Sequence, residues 1–193
     1  VDRSRGLGDV YKRQIEYSNE DINTNVTQGA QDKINNAVAR WTEVLSYNLP
    51  YNISTVTLNI VFEEMDNGIL GGAWIDSYQT TKKTLEFGYT FPYKGTFKLN
   101  STYPFSYSTI LHEIGHILGI GTMWMDTSIQ NRPINDNDPD NYYYTGVNAV
   151  REYKRYYEIR GGNPNDIIGI PIEDDFGTGT KHGHAEAVSY THL

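Results

Sequence analysis

The sequence has 193 residues and a formal net charge of -8, and 38% of its residues are hydrophobic while 21% are charged. That is enough apolar material for one folded domain, which excludes a disordered chain, and the negative charge argues against nucleic acid or an anionic membrane as a main partner. Cysteine is absent, so disulfides and thiolate metal ligands are excluded, and no apolar stretch approaches the ~20 residues of a membrane span.

Both ends of the chain have the character of non-native sequence. Residues 9–14 (DVYKRQ) and 188–193 (VSYTHL) resemble translated adapter sequences. We therefore predict that 1–14 and 188–193 are tails outside the fold and that 15–187 form the domain. The alternative is that both ends are natural terminal segments that do not fold. The chain does not begin with Met and shows no signal peptide, so we expect it to be a fragment.

The first half of the chain predicts one helix followed by strands. Residues 28–47 have apolar side chains at helical spacing, with Thr27 as a candidate N-cap and Pro50 beyond the end. The apolar positions of this helix are Ala30, Ile34, Ala37, Val38, Trp41, Val44 and Leu45. Residues 55–62 alternate and are β-branched, which predicts a strand, and 69–75 carries a Gly-Gly pair typical of an irregular edge strand.

The second half continues with strands and then helices. Residues 84–90 and 96–99 predict two strands, joined through Pro and Gly, and 106–118 predicts a helix. The buried stripe of that helix is expected to be Ile110, Leu111, Ile114, Ile117 and Leu118. Residues 145–158 predict another helix, with Val147, Val150 and Tyr153 or Tyr157 facing inward, and 170–172 a short strand. This order of elements predicts an α+β fold with a mixed sheet.

The chemistry is concentrated in His112-Glu113-Ile114-Gly115-His116, an H-E-x-x-H sequence on a predicted helix. The i, i+4 spacing places both imidazoles on one helix face, where their nitrogens can bind one zinc ion. Glu113 is rotated away from the two histidines, so its carboxylate can take a proton from a zinc-bound water rather than bind the zinc. The alternative is a pair of solvent-facing histidines on an amphipathic helix, but the predicted apolar stripe lies on the other face.

The residues after the motif leave the third zinc ligand open. Gly119 extends the motif to H-E-x-x-H-x-x-G, which is the start of the metzincin pattern, and a Gly there can take a positive φ and end the helix. A compact metzincin would have its third His where this chain has Thr122. The remaining candidates are a His of the later loops or a Glu of the following helix, namely His182, His184, His192, Glu152 and Glu158.

Three segments resemble the leishmanolysin-like metzincins, in which a long insertion separates the Gly from the third His. They are the active-site segment 112–124 (HEIGHILGIGTMW), the predicted helix 144–153 (YTGVNAVREY) and the segment 170–184, which contains IPIED and GTGT and ends at His184. The resemblance is strong over 106–186 and implies that the third ligand is His184. It also implies a metzincin core whose twisted mixed sheet carries the active-site helix, and an extracellular or cell-surface location.

Three departures qualify this resemblance. Ala185 stands where the family usually has Trp, and the cysteines typical of eukaryotic members are absent, which favours a bacterial or viral relative. Metzincins also have a Met-turn downstream of the third His, whereas Met65, Met123 and Met125 all precede His184. We therefore expect 15–187 to be a partial catalytic domain, incomplete at its C-terminus.

The resemblance and the motif together imply a zinc-dependent endopeptidase that acts on polypeptides. Glu113 would be the general base and His112, His116 and His184 the zinc ligands. The resemblance further implies that the substrate pairs with an edge strand upstream of the motif helix. Two alternatives are a non-catalytic zinc-bearing adhesion or interaction domain, which could dispense with Glu113, and a gluzincin-type peptidase with Glu as third ligand.

Overall fold

The computed structural model describes residues 14–18, 28–45, 55–66, 68–81, 89–124, 134–135 and 142–173. The chain divides into two compact units, one formed by Val1–Thr81 and Phe91–Leu118, the other by Lys82–Thr90 and Gly119–Leu193. The predicted α+β class with a mixed sheet is confirmed.

The first unit is built on a four-stranded sheet. Its elements in chain order are β1 (Gln14–Ser18), α1 (Gln28–Leu45), β2 (Thr55–Glu63), β3 (Gly71–Thr81), β4 (Tyr89–Asn100) and α2 (Tyr107–Ile117). The strand order is β1-β2-β4-β3, and β2 is parallel to both β1 and β4. Gly71 lies against Lys98 and Gly95 against Trp74, so β3 runs antiparallel to β4 at the end of the sheet.

One face of this sheet and the two helices enclose the core. Alternate residues of β2 and β4 point inward, as the period of two in a strand requires. The apolar residues buried there are Ile15, Ile34, Ala37, Val38, Val56, Leu58, Ile60, Phe97, Leu99, Ile110, Ile114 and Ile117. Helix α2 packs against both α1 and β3. The motif helix is therefore held between a second helix and the last strand of the sheet.

The predicted helix at 28–47 and strand at 55–62 are confirmed, but the strands between them and α2 differ from the prediction. β3 lies at the end of the sheet, as expected for an edge strand, yet it covers Gly71–Thr81 rather than 69–75. The strand predicted at 96–99 and the end of the strand predicted at 84–90 both belong to β4, which runs continuously from Tyr89 to Asn100, so the predicted break between them was wrong. Residues 84–88 lie outside the described residues. Pro92 precedes Lys94, where the pairing with β2 begins, so its missing N–H removes no hydrogen bond to β2.

Strand β1 was missed entirely, and it begins at Gln14, the last residue of the predicted N-terminal tail. Its backbone pairs with β2 from Gln14 opposite Thr55 to Ser18 opposite Asn59. The predicted domain start at 15 therefore lies one residue inside a strand. Residues 1–13 and 188–193, with the candidate cap Thr27, lie outside the described residues.

The second unit contains a small antiparallel sheet and a helix. β5 (Ile134–Asn135), β6 (Tyr143–Tyr144) and β7 (Ile170–Pro171) form the sheet, and α3 covers Val147–Ile159. The rings of Trp124 and Tyr144 are 4.7 Å apart. The helix predicted at 145–158 and the strand near 170–172 are confirmed. The inward orientation of Val147 was wrong, because this side chain is 81% exposed.

Candidate active site

Helix α2, which carries the motif, has a capping residue at its start, a glycine just after its end and an apolar stripe along one side. Ser106 is the N-cap, and its hydroxyl accepts a hydrogen bond from the backbone N–H of Thr109 at 3.0 Å. After the C-cap at Leu118 the chain turns at Gly119, whose φ of 96° is in the left-handed region that favours glycine. Both the predicted helix and the predicted role of Gly119 are confirmed.

The two motif histidines project from the side of α2 that faces away from the core. His112 is exposed and His116 is partly exposed, whereas Ile110, Ile114 and Ile117 are fully buried on the opposite side. The Nε2 atoms of the two histidines are 3.0 Å apart, and their rings meet nearly edge to face at 85°. The helix thus directs one nitrogen from each ring toward a shared point.

This arrangement fits a metal ion held by two imidazoles. Nitrogens that each lie ~2.0–2.1 Å from one zinc ion at the tetrahedral angle are roughly 3.3–3.4 Å from each other. The observed distance between the Nε2 atoms of His112 and His116 is 3.0 Å, so the two rings would have to separate by only about 0.3 Å to hold the ion at that angle. Imidazole is also the nitrogen ligand that zinc prefers in proteins without cysteine.

Glu113 occupies a different environment from its two histidine neighbours. Only 6% of its surface is exposed, and this burial raises the pKa of its carboxyl group from 4.5 to about 7. Desolvation is the cause, because a charged carboxylate loses hydration when it is taken out of water. The sequence predicted that Glu113 is rotated away from the ligand pair, but its burial against the sheet was not predicted.

The surface that buries Glu113 is the start of β3. A Cβ atom added to Gly71 would lie 3.1 Å from Oε1 of Glu113 and 3.0 Å from the carbonyl oxygen of Lys98. The carboxylate therefore lies close to the strand backbone where no side chain intervenes. The Gly-Gly pair at 71–72 indicated an irregular strand, but nothing in the sequence connected it with Glu113.

Helix α1 contributes two hydrogen bonds that fix the position of α2. The indole Nε1 of Trp41 donates to the carbonyl oxygen of Leu111 at 3.0 Å, one residue before His112. The ammonium group of Lys33 donates to the carbonyl oxygen of Phe105 at 3.1 Å, just before the N-cap. The sequence did not identify Trp41 and Lys33 as contributors to the site, because a hydrogen bond between residues about 70 positions apart leaves no local pattern in the sequence.

The structure does not test the proposed third ligand. His182, His184 and His192 lie outside the described residues, and within the ranges that are described no group of three metal-binding side chains occurs. Thr122 is described and provides no imidazole. Of the carboxylate alternatives, Glu152 binds Arg155 at 3.0 Å and Arg151 at 3.2 Å, and these arginines lower the pKa of its carboxyl group.

The fold and the motif helix define a metallopeptidase, and comparison with known families specifies which kind. Residues 10–121, more than half of the chain, match the model of metallo-peptidase family M12B, reprolysin-like. The chain belongs to this family, whose members are zinc-dependent metalloendopeptidases. The match includes the whole H-E-x-x-H motif and begins inside the segment 1–14. No curated protein matches the chain.

This assignment supports the broad prediction but not the finer one. A zinc metallopeptidase that acts on polypeptides is what the family implies, as predicted from the motif. The leishmanolysin-like subtype is not supported by the match, which is to the reprolysin-like group and ends at Gly121. Within the described part of the chain, no helix is both long and apolar enough to cross a membrane.

Proposed function

We propose that this chain is a zinc-dependent endopeptidase in which His112 and His116 hold the metal and Glu113 is the general base. The observation that carries the proposal is the 3.0 Å separation of the two Nε2 atoms on a helix whose intervening residue, Glu113, is buried. Membership of the reprolysin-like family supplies the reaction class, hydrolysis of peptide bonds.

Each group has a separate task in this reaction. Zinc, when bound, lowers the pKa of water and polarises the carbonyl group of the substrate. Glu113 takes a proton from the attacking water and then donates it to the amine that leaves, so one carboxyl group serves as base and acid in turn. The buried position of Glu113 limits how far its carboxylate can move between these steps.

His184 is the proposed third ligand, in a leishmanolysin-like arrangement with a long insertion after Gly119. Two features of the sequence support this. Thr122 occupies the position of the third His in the compact pattern, and the GTGT segment at 177–180 precedes His184 as in the leishmanolysin-like run. We further propose that the catalytic domain continues beyond the matched region to residue 187, with 188–193 outside it, whereas the match already includes residues 10–14 of the segment predicted as the N-terminal tail.

The substrate is proposed to bind as an extended peptide along β3. This strand is last in the order of the four-stranded sheet, and α2 packs against it. An extended peptide that adds to the end of a sheet gains main-chain hydrogen bonds along its length. β3 also begins at Gly71, beside the Glu113 carboxylate, so a peptide on this strand would run past the general base.

The proposal is tested with the purified chain, loaded with zinc and incubated with an unfolded protein, while new N-termini are identified by mass spectrometry. Wild-type protein should cleave internal peptide bonds, and a zinc chelator should stop cleavage. Glu113→Gln should retain zinc but lose about 10²–10⁴-fold in rate, because an amide cannot accept the proton. The matched control is Glu64→Gln, which changes an exposed carboxylate of the same unit.

The same experiment distinguishes the enzyme from a zinc-bearing interaction domain. An interaction domain would bind zinc equally well in the wild-type and Glu113→Gln proteins and would cleave nothing. Cleavage by Glu113→Gln at the wild-type rate would instead exclude Glu113 as the base.

A further inference from the structure

A side chain at residue 71 would bring its Cβ atom unusually close to the carboxyl group of Glu113. An added Cβ would be 3.1 Å from Oε1 and 3.3 Å from Cδ of Glu113. At the next position, a Cβ on Gly72 would meet only Cε of Met65, at 3.9 Å. Successive residues of a strand point to opposite faces. An added Cβ would therefore face the crowded side of β3 at Gly71 and the open side at Gly72.

Neither the helix that carries Glu113 nor the neighbouring strand can readily move away from such a Cβ. The residues that follow it on α2, Ile114 and Ile117, are fully buried in the core, so the helix cannot shift outward without disturbing the packing. The carbonyl oxygen of Lys98, 3.0 Å from the same added atom, belongs to the neighbouring strand backbone and is equally fixed. The side chain of Glu113 is the part that would have to move.

Space, rather than backbone conformation, is what alanine would lack at this position. The described glycines with positive φ are Gly68, Gly119, Gly121 and Gly161, so Gly71 is in a region that L-residues adopt. A Gly71→Ala change therefore tests the contact with Glu113 and adds no left-handed strain.

We propose that Gly71 is a positioning residue for Glu113: the missing side chain at the start of β3 sets where the general base carboxylate lies. This inference rests on the proposed function, in which Glu113 takes the proton from the attacking water. It predicts that a methyl group at residue 71 displaces the base, whereas a methyl group at residue 72 does not.

The first test is steady-state kinetics of the zinc-loaded chain with Gly71→Ala and, as the control, Gly29→Ala, which lies on α1 with open space around an added Cβ. Gly71→Ala should lower kcat by roughly threefold to tenfold relative to Gly29→Ala, since the added Cβ would displace the carboxyl group by a few tenths of an ångström and a displacement of about 1 Å can cost about 100-fold. KM should stay within about twofold, because the base acts on the chemical step. Zinc content should be the same in both proteins. Equal kcat values, or a rise in KM alone, would overturn the proposal.

The second test does not require activity. Thermal unfolding of the metal-free chain is compared for Gly71→Ala in the wild-type and Glu113→Ala backgrounds, with Gly72→Ala in the same two backgrounds as the matched control. Gly71→Ala should lower the midpoint by about 2–4 °C when Glu113 is present and by clearly less when it is absent. Gly72→Ala should have the same effect in both backgrounds.

An equal shift for Gly71→Ala in both backgrounds would show that the methyl group does not meet Glu113, and the proposal would fail. If the wild-type chain itself cleaves no peptide with zinc, the proposed function fails instead. The unfolding experiment then still decides whether Gly71 fixes the position of Glu113.

Discussion

The indole of Trp41 on α1 donates a hydrogen bond to the carbonyl oxygen of Leu111 on α2, with 3.0 Å between the two atoms. Leu111 immediately precedes His112, so the bond connects α1 to the residue just before the first motif histidine. Because α1 and α2 are both packed on the sheet, the bond fixes the position of one helix relative to the other.

Trp41→Phe keeps an aromatic ring at this position but removes the donor. We expect the free energy of unfolding to fall by about 1 kcal/mol, the net contribution of one neutral hydrogen bond, with a further loss from the smaller ring. Urea unfolding of the metal-free chain measures the change. Trp74→Phe is the control, because Trp74 is 41% exposed on β3 and its replacement should cost less. Equal losses in both variants would show that the bond to Leu111 contributes nothing.

The raised pKa of Glu113 predicts a pH dependence of stability in the metal-free chain. The pKa of the Glu113 carboxyl group is about 7 in the folded chain, against an ordinary value of 4.5. At pH values between these two, the folded state keeps a proton on Glu113 that the unfolded state has released. The contribution to stability is therefore complete below the lower value and is lost as the pH rises through 7, by up to about 3 kcal/mol.

Glu113→Gln removes this titration and leaves the other ionisable groups in place. The difference in unfolding free energy between the Gln variant and the wild-type chain should therefore increase from pH 4.5 to pH 7. Chemical denaturation at several pH values, in the presence of a chelator, measures it. Parallel pH profiles for the two proteins would show that Glu113 is not desolvated as described.

The third zinc ligand is tested by two histidines that lie two positions apart in the sequence, His182 and His184. His184→Ala should lower zinc affinity at least as much as His112→Ala does. The loss should be larger than the roughly 10- to 100-fold that follows from removing a residue that only orients a ligand. His182→Ala should leave the affinity close to that of wild type. Competition with a chromophoric chelator measures all three variants. A large loss in His182→Ala, with none in His184→Ala, would assign the ligand to residue 182.

Gly95 on β4 permits the end of α2 to approach the sheet. An added Cβ would overlap Cγ2 of Ile117 and lie 2.9 Å from both Cγ1 of Ile117 and the carbonyl oxygen of Trp74. Gly95→Ala should therefore destabilise the chain by about 1–3 kcal/mol, as overpacking does. Ile117→Ala should recover part of that loss in the double variant. Gly29→Ala on α1 has open space around it and should be neutral or stabilising. No recovery in the double variant would place the clash elsewhere.

The motif helix could be predicted from sequence because its signals are local. The i, i+4 histidines, the apolar stripe and Gly119 all lie within one short segment, and the structure has a helix there with the stripe buried. The family match then confirmed the metallopeptidase class that this segment indicated.

The environment of Glu113 could not be predicted in the same way. Its burial depends on Gly71, which comes from a strand more than 40 positions earlier and approaches α2 only in the assembled sheet. The continuity of β4 through Pro92 was missed for a related reason. Whether a proline interrupts a strand depends on where the neighbouring strand begins to pair, and the sequence of β4 alone does not contain that information.

The position of β3 at the end of the sheet has a consequence for how substrates would be selected. A polypeptide that pairs with β3 through its main chain must itself be extended over several residues, whatever its side chains are. Segments already committed to helices or internal strands of a folded protein cannot offer their backbone groups in this way. The rate of cleavage of a folded target would then follow the free energy of its local opening, so this enzyme would discriminate between conformational states of a protein more strongly than between sequences.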